Sequence, residues 1–188
     1  MGRKPLPPLL FFTDPARTPD AAAVIARLPR GSAVVFRAFG RADQLAQAPV
    51  LAALARRRGI AFLVGADIAL AMALRADGVH LPQRLAARAR VARSLRPGWI
   101  VTVAAHSLPA LRVARQVHAD AAVLSPVFAS ASPSAGAPLG VVRFAGGVRA
   151  AGIPVYGLGG INAKTARRLL GSGAIGLAAI EGLRTCQS

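Results

Sequence analysis

The sequence has few of the residues that usually mark secreted, disulfide-stabilised or membrane-bound proteins. Its 188 residues include one cysteine, Cys186, so no disulfide can form within the chain. No uncharged apolar run reaches the ~18 residues that suggest a membrane span, since the longest candidate, Ile60 to Leu74, carries Asp67. The first residues also lack the apolar region of a signal peptide. We therefore expect a cytoplasmic protein with no membrane partner.

Aromatic and acidic residues are also scarce. Aromatic side chains make up 5% of the sequence, and 7 acidic residues are set against 24 lysines and arginines, which gives a net charge of +17. Such a charge can indicate nucleic-acid binding. However, the arginines are spread over nearly every predicted helix, with no interleaved aromatic residues to stack on bases. We expect no specific nucleic-acid partner, and the positive field favours small anionic ligands.

Several common catalytic sets are missing from the sequence. It contains no Walker loop, no Ser-His-Asp set and no cysteine and histidine spacing typical of zinc. No carboxylates are spaced as in a hard-metal site, so we predict no metal-binding residue. Asp14 follows the first predicted strand and Glu181 follows the last, and we expect these two carboxylates alone to face the site.

Short apolar runs alternate with helical patterns along the whole chain. The runs are continuous, as in strands buried on both faces of a parallel sheet. Their number favours a (β/α)8 TIM barrel over an open doubly wound sheet. The chain is short for this fold, so we predict one domain over residues 1–188 with a trimmed final helix. The predicted strands are Leu9–Thr13, Ala33–Arg37, Ile60–Val64, Gly78–Leu81, Trp99–Val103, Ala121–Leu124, Pro154–Leu158 and Ile175–Ala178. The predicted helices are Asp20–Leu28, Arg41–Arg57, Asp67–Arg75, Arg84–Leu95, Leu108–Val117, Val141–Ala151 and Ala163–Leu170.

Glycines near the end of the chain predict a phosphate site. Residues 154–162 read as a short strand that ends in glycines and opens a helix, and the last predicted strand follows at Ile175–Ala178. Glycine lets a backbone approach an anion closely, and a (β/α)8 barrel often binds phosphate on the loops after its last two strands. A dinucleotide site is not favoured, because Asn162 stands where the third glycine of its fingerprint is required.

Chemically active side chains end three other predicted strands. His80 ends the fourth strand and His106 the fifth, and each is either a proton shuttle or a buried structural residue. Arg37 ends the second strand and is a candidate anion ligand. The loop Pro126–Leu139, rich in Ser, Ala, Pro and Gly, follows the sixth strand, and we predict that it forms a substrate lid.

Together these motifs resemble the thiamine phosphate synthase and thiazole tautomerase family. The shared elements, in order, are Phe-Phe-Thr-Asp at 11–14, Asp-Gly-Val-His-Leu at 77–81, Ala-His-Ser at 105–107, Pro-Val-Phe at 126–128, Pro-Leu-Gly at 138–140 and Gly-Gly-Ile at 159–161. The resemblance implies a (β/α)8 barrel, a role in thiamine biosynthesis, and a small phosphorylated heterocycle as ligand, such as thiazole phosphate or thiamine phosphate. Resemblance to the tautomerase branch implies that His106 is a catalytic proton shuttle. The substrate-binding residues that the resemblance implies are Arg37, His80, Gln83, Ser130, Ser132, Gly159, Gly160, Ala179 and Ile180.

The chain departs from the synthase branch where that branch holds Mg²⁺ and pyrophosphate. We align the synthases' Asn-Asp pair after strand three with Leu63 and Val64, and Arg84 and Leu85 stand where a second carboxylate is expected. Two alternatives to a tautomerase therefore stay open. One is a divergent synthase that joins a pyrimidine pyrophosphate to a thiazole phosphate and would use Mg²⁺, since no cofactor is otherwise clearly encoded. The other is a non-catalytic sensor of the same phosphates. The sequence also leaves a homo-oligomer open.

Overall fold

The computed structural model describes residues 4–130 and 136–181, and these residues fold around a closed barrel of parallel strands. Each strand pairs with the next along the chain, and β1 closes the ring against β8, with Leu9 opposite Leu177. The (β/α)8 prediction is therefore confirmed, and the open doubly wound sheet is wrong. The strands are β1 (Leu9–Phe12), β2 (Ala33–Phe36), β3 (Ala61–Gly65), β4 (Gly78–Leu81), β5 (Ile100–Ala105), β6 (Ala121–Leu124), β7 (Val155–Gly157) and β8 (Gly176–Ala179).

Helices connect the successive strands and differ from the prediction mainly before β5. The predicted helix Arg84–Leu95 is divided, because its first backbone bonds run three rather than four residues back and form a 3-10 turn. The predicted trimming of the last helix concerns residues 182–188, which lie outside the described part of the chain. The helices are α1 (Ala21–Arg27), α2 (Ala42–Arg58), α3 (Ile68–Ala73), α4 (Arg88–Leu95, after the 3-10 turn Gln83–Leu85), α5 (Leu108–Gln116), α6 (Gly140–Ala151) and α7 (Ala163–Arg167).

Both faces of the strands are buried, which explains their continuous apolar sequences. One cluster of side chains packs the outer faces of the strands against the helices, and a second fills the barrel interior. At the base of the interior, the Tyr156 hydroxyl donates a hydrogen bond to the carbonyl of Pro7 at 2.7 Å. The interior side chains are Leu10, Phe12, Ala33, Val35, Leu63, Ile100, Ala121, Val123, Tyr156 and Ala178.

Two acidic residues stabilise the end of the barrel where the strands begin. Asp120 pairs with Arg93 and accepts a hydrogen bond from the N–H of Val101 at 2.7 Å. Asp77 accepts one from the N–H of Phe62 at 2.9 Å. Both carboxylates therefore lie at the opposite end of the barrel from the carboxyl-terminal ends of the strands. Within residues 4–130 and 136–181, no helix is long and apolar enough to cross a membrane.

Candidate active site

A cavity of about 860 Å³ opens at the end of the barrel where the strands finish. Residues that follow each of the eight strands line it, so every strand contributes to its wall. In (β/α)8 enzymes this face of the barrel carries the chemistry. The predicted site residues that line the cavity are Arg37, His80, His106, Ser130, Gly159, Gly160, Ala179 and Ile180.

Two glycines of the loop after β7, Gly159 and Gly160, line this cavity. Gly159 has a φ of +98° and Gly160 a φ of +63°, a region that side chains disfavour. A Cβ on Gly159 would lie 2.8 Å from the Cα of Pro126, so the two loops touch through backbone. Among the described residues, no atom accepts a hydrogen bond from the N–H of either glycine. The loop can therefore donate two hydrogen bonds to a bound anion.

His106 lies just beyond the end of β5 and is held on two sides. Its backbone N–H donates to Oε1 of Gln83 at 3.0 Å. Its Nδ1 lies 3.2 Å from both the carbonyl oxygen and the hydroxyl of Ser125. A carbonyl oxygen can only accept a hydrogen bond, so this contact favours the tautomer protonated at Nδ1. Nε2 then carries no proton and can accept one. The ring is exposed and lines the cavity.

His80 occupies a different environment from His106. It is 7% exposed, its Nδ1 lies 2.9 Å from the hydroxyl of Thr102, and its ring stands edge-on to Phe12 at 4.9 Å. Burial lowers the pKa of His80 from 6.5 to about 3, with further contributions from Arg37 and His106. His80 is therefore neutral near pH 7 and cannot act there as a proton acceptor that becomes charged. It can still offer a hydrogen bond at the floor of the cavity.

Arg37 is fixed at the wall by contacts with the loop after β1. Its Nε donates to the carbonyl of Thr13 at 2.8 Å, and its Nη2 lies 3.4 Å from Oδ2 of Asp14. The guanidinium also lies 4.8 Å from the ring centre of Phe39. Burial lowers the pKa of Arg37 to about 10, although Asp14 opposes this shift and Arg17 adds to it. The side chain is therefore a cation at neutral pH, in a fixed position.

The carboxylates predicted to face the site do not line the cavity. Asp14 is engaged by Arg37, and Glu181 pairs with Arg17 at 2.8 Å. Instead, Asp67 lines the wall after β3, and its Oδ1 caps α3 by accepting a hydrogen bond from a backbone N–H. The expectation that Asp14 and Glu181 alone face the site was therefore wrong. Both follow strands as predicted, but each side chain bends toward a neighbouring arginine.

The residues that the structure describes at the mouth do not fit a Mg²⁺ ion. Val64, aligned from sequence with the metal-binding aspartate of the synthases, lines the cavity with an apolar side chain, and Gly65 and Ala66 line it directly afterwards. Neither offers a carboxylate, and the single carboxylate on the described wall, Asp67, uses its Oδ1 to cap α3. Among the described residues, no group of three histidine, cysteine or acidic side chains could hold a metal. Mg²⁺ prefers carboxylate and water oxygens, so this donor set does not suit it.

Three arginines that were not predicted as site residues also line the cavity. Arg17 follows β1, Arg84 lies in the turn after β4, and Arg88 begins α4. With Arg37 they give the described wall of the cavity four guanidinium groups against one carboxylate, that of Asp67. The sequence did not single them out, because nearly every helix carries arginines. Only the order of the strands shows which of them face the mouth.

The predicted substrate-binding residues Gln83 and Ser132 have different outcomes. Gln83 is not among the cavity-lining residues that the structure describes, and its amide holds the backbone of His106. Ser132 lies outside the described residues, so the lid remains a prediction. The two ends of the lid loop meet, since the N–H of Leu139 bonds to the carbonyl of Pro126 at 3.0 Å. Ser130 lines the cavity from the near side of this loop.

Comparisons with known proteins agree with the fold and with the sequence motifs. The sequence model of a family described as thiamine monophosphate synthase matches residues 9–183. The thiamine-phosphate synthase of Thiobacillus denitrificans is 33% identical over 174 residues, which cover 88% of this chain and 82% of that protein. The thiamine-phosphate synthase of Roseiflexus sp. is 32% identical over 140 residues, which cover 74% of this chain and 59% of that protein.

A solved structure is similar over almost the whole chain. The thiamine phosphate pyrophosphorylase from Pyrococcus furiosus superposes with a TM-score of 0.77 and 25% sequence identity. The similarity covers 95% of this chain and 94% of that one. The family match, the sequence relatives and the solved structure agree with one another, and the chain belongs to the thiamine monophosphate synthase family.

Proposed function

We propose that this barrel acts in thiamine biosynthesis by binding a thiazole phosphate and moving one of its protons, as a tautomerase does. The phosphate is held by the backbone N–H groups of Gly159 and Gly160, with Ala179 and Ile180 closing the site from β8. The observation that supports this most is that Gly159 and Gly160, whose N–H groups have no acceptor in the described part of the chain, line one cavity with the exposed His106. A backbone cradle of this kind suits a phosphate.

His106 supplies the proton chemistry in this proposal. A tautomerisation removes a proton from one position of a molecule and returns a proton to another, so charge and oxidation state balance without a metal. With Nδ1 held by Ser125, the free Nε2 accepts the first proton and then donates it back. His80, kept neutral by burial, donates a hydrogen bond to the thiazole ring and does not exchange a proton.

The synthase reaction is the second candidate. It is favoured by the names of the relatives, since the proteins of Thiobacillus denitrificans and Roseiflexus sp. are both called thiamine-phosphate synthase. In this case the same glycines hold the thiazole phosphate, while a pyrimidine pyrophosphate occupies the rest of the cavity. The donor set at the mouth argues against the usual metal-assisted departure of pyrophosphate.

Substituting His106 tests the proposal directly. The non-aromatic tautomer of a thiazole phosphate is supplied, and its conversion to the aromatic form is followed by ultraviolet absorbance. His106→Asn, which can hydrogen-bond but cannot shuttle a proton at neutral pH, is expected to reduce the rate by about 10²-fold or more. Its affinity for the thiazole phosphate should stay close to that of the wild type.

The matched control is His118→Asn, since His118 is exposed at the opposite end of the barrel and does not line the main cavity. Asn also tolerates the positive φ of +58° at that position. Full activity of His106→Asn would overturn the tautomerase proposal. Tight binding of thiazole phosphate by the wild type with no turnover would identify a sensor instead.

A further inference from the structure

We propose that Arg84 and Arg88 form a second anion site, which binds a pyrophosphate or phosphate group without a metal ion. Both side chains line the cavity on the wall built by β4 and α4. This site is independent of the thiazole phosphate assignment, because it uses none of the same residues.

The arginines that line the cavity divide into two pairs by their contacts. Arg37 is bound to Thr13 and Asp14, and Arg17 is paired with Glu181. In contrast, no residue within 4–130 and 136–181 accepts a hydrogen bond from Arg84 or Arg88 or forms an ion pair with them. These two guanidinium groups therefore retain their full capacity for a ligand.

Their spacing places the two cations next to each other. Arg84 lies in the 3-10 turn and Arg88 four residues later at the start of α4, and Ala86 and Ala87 between the two elements keep a right-handed helical backbone. Like charges four residues apart in helical backbone repel each other, which destabilises the empty site. A multiply charged anion between them removes this repulsion. The planar fork of a guanidinium also matches the oxygens of a phosphate group.

The barrel topology separates this site from the glycine loop. The strands follow one another around a closed ring of eight, so β4 stands opposite β8 and the loop after β7. A cavity of about 860 Å³ lies between the two walls. One anion can therefore rest on the glycines while a second is held by the arginines, with room for heterocyclic groups between them.

Calorimetric titration of the full chain with inorganic pyrophosphate, in the presence of EDTA, tests this site. Wild-type protein is expected to bind, and the Arg84→Gln/Arg88→Gln variant to bind about tenfold more weakly or worse. The matched control is Arg112→Gln/Arg143→Gln. It removes the same charge from two exposed helix arginines that do not line the cavity, so affinity should change less than about twofold.

The alternatives give different results in the same titration. No binding of pyrophosphate in EDTA, or equal weakening in both double variants, would overturn the proposal. Loss of pyrophosphate binding in Gly160→Ala with retention in the arginine variant would place the anion on the glycines, and would also overturn it. A repeat with inorganic phosphate shows whether one phosphoryl group suffices, and tighter binding of pyrophosphate is the expected order.

Discussion

At the scale of single residues, the two strand-end histidines show what the sequence could and could not provide. Their motifs were equally suited to a proton shuttle. The register separates them, because His80 lies opposite Thr102 inside the barrel, whereas His106 lies one residue beyond the end of β5. Burial depth depends on the neighbouring strands, so no local pattern could have distinguished the roles of the two residues.

The neutral state of His80 predicts a pH dependence of stability. Its pKa is about 3 when folded and 6.5 in an unfolded reference, so the unfolded chain binds the extra proton between these values. Acidification through this window should lower the free energy of unfolding by up to about 1.4 kcal/mol for each pH unit. Urea unfolding between pH 7 and pH 4 should therefore show a shallower pH slope for His80→Asn than for the wild type. Equal slopes would show that His80 titrates normally.

Gly160 carries the second prediction at this scale. Gly160→Ala should weaken thiazole phosphate binding about tenfold or more. The new Cβ would lie 2.7 Å from that of Phe128, at a positive φ that strains alanine, so the loop must move. Isothermal titration with thiazole phosphate measures the effect.

The control is Gly146→Ala in α6, where a Cβ has open space and helix propensity favours alanine by about 0.5–1 kcal/mol. This variant should keep its affinity and gain stability. If Gly160→Ala bound as tightly as the wild type, the phosphate would not rest on this loop.

At the scale of helices and strands, the sequence was most informative where a local side-chain hydrogen bond determines where an element begins. Asn162 begins α7 with a capping box, since its Oδ1 accepts from the N–H of Lys164 at 2.9 Å and of Thr165 at 3.1 Å. The Thr165 hydroxyl in turn donates to the carbonyl of Gly160 at 2.8 Å. The cap therefore also holds the phosphate loop. The 3-10 turn before α4 has no such signal, and the sequence missed it.

Removing this cap should affect both stability and ligand binding. Asn162→Ala is expected to lower the free energy of unfolding by about 1 kcal/mol and to weaken thiazole phosphate binding several-fold, because the hydroxyl that orients Gly160 loses its neighbour. Asp20→Ala removes a comparable cap, 2.8 Å from the N–H of Ala23, at a helix start that does not line the cavity. It should cost similar stability and leave affinity unchanged. The same loss of affinity in both variants would contradict the link between cap and loop.

At the scale of the whole molecule, the order of strands around the ring assembles the site from distant parts of the sequence. Alternating apolar runs and helical patterns were enough to predict a barrel, and glycines at a late strand were enough to predict a phosphate loop. The cationic wall was not predictable, because Arg84 and Arg88 look like any other helix arginines until β4 is placed opposite β8.

The net charge of +17 gives a prediction about nucleic acid. Contacts driven by charge alone release counterions, so binding of a labelled DNA duplex should fall by orders of magnitude between about 50 mM and about 200 mM salt. Fluorescence anisotropy with two unrelated duplexes should give the same steep fall for both. Tight binding of one duplex that survives at the higher salt would show a specific nucleic-acid partner and would contradict the account.

The most direct test of the central claim is a single incubation with thiazole phosphate and a pyrimidine pyrophosphate, with and without Mg²⁺, in which thiamine phosphate is measured. The claim is that the barrel has kept its phosphate loop and lost the metal-dependent reaction. It predicts that thiazole phosphate binds and that Mg²⁺ brings no thiamine phosphate into the mixture. Robust product that requires Mg²⁺ would contradict it, because carboxylates elsewhere would then have to hold the metal.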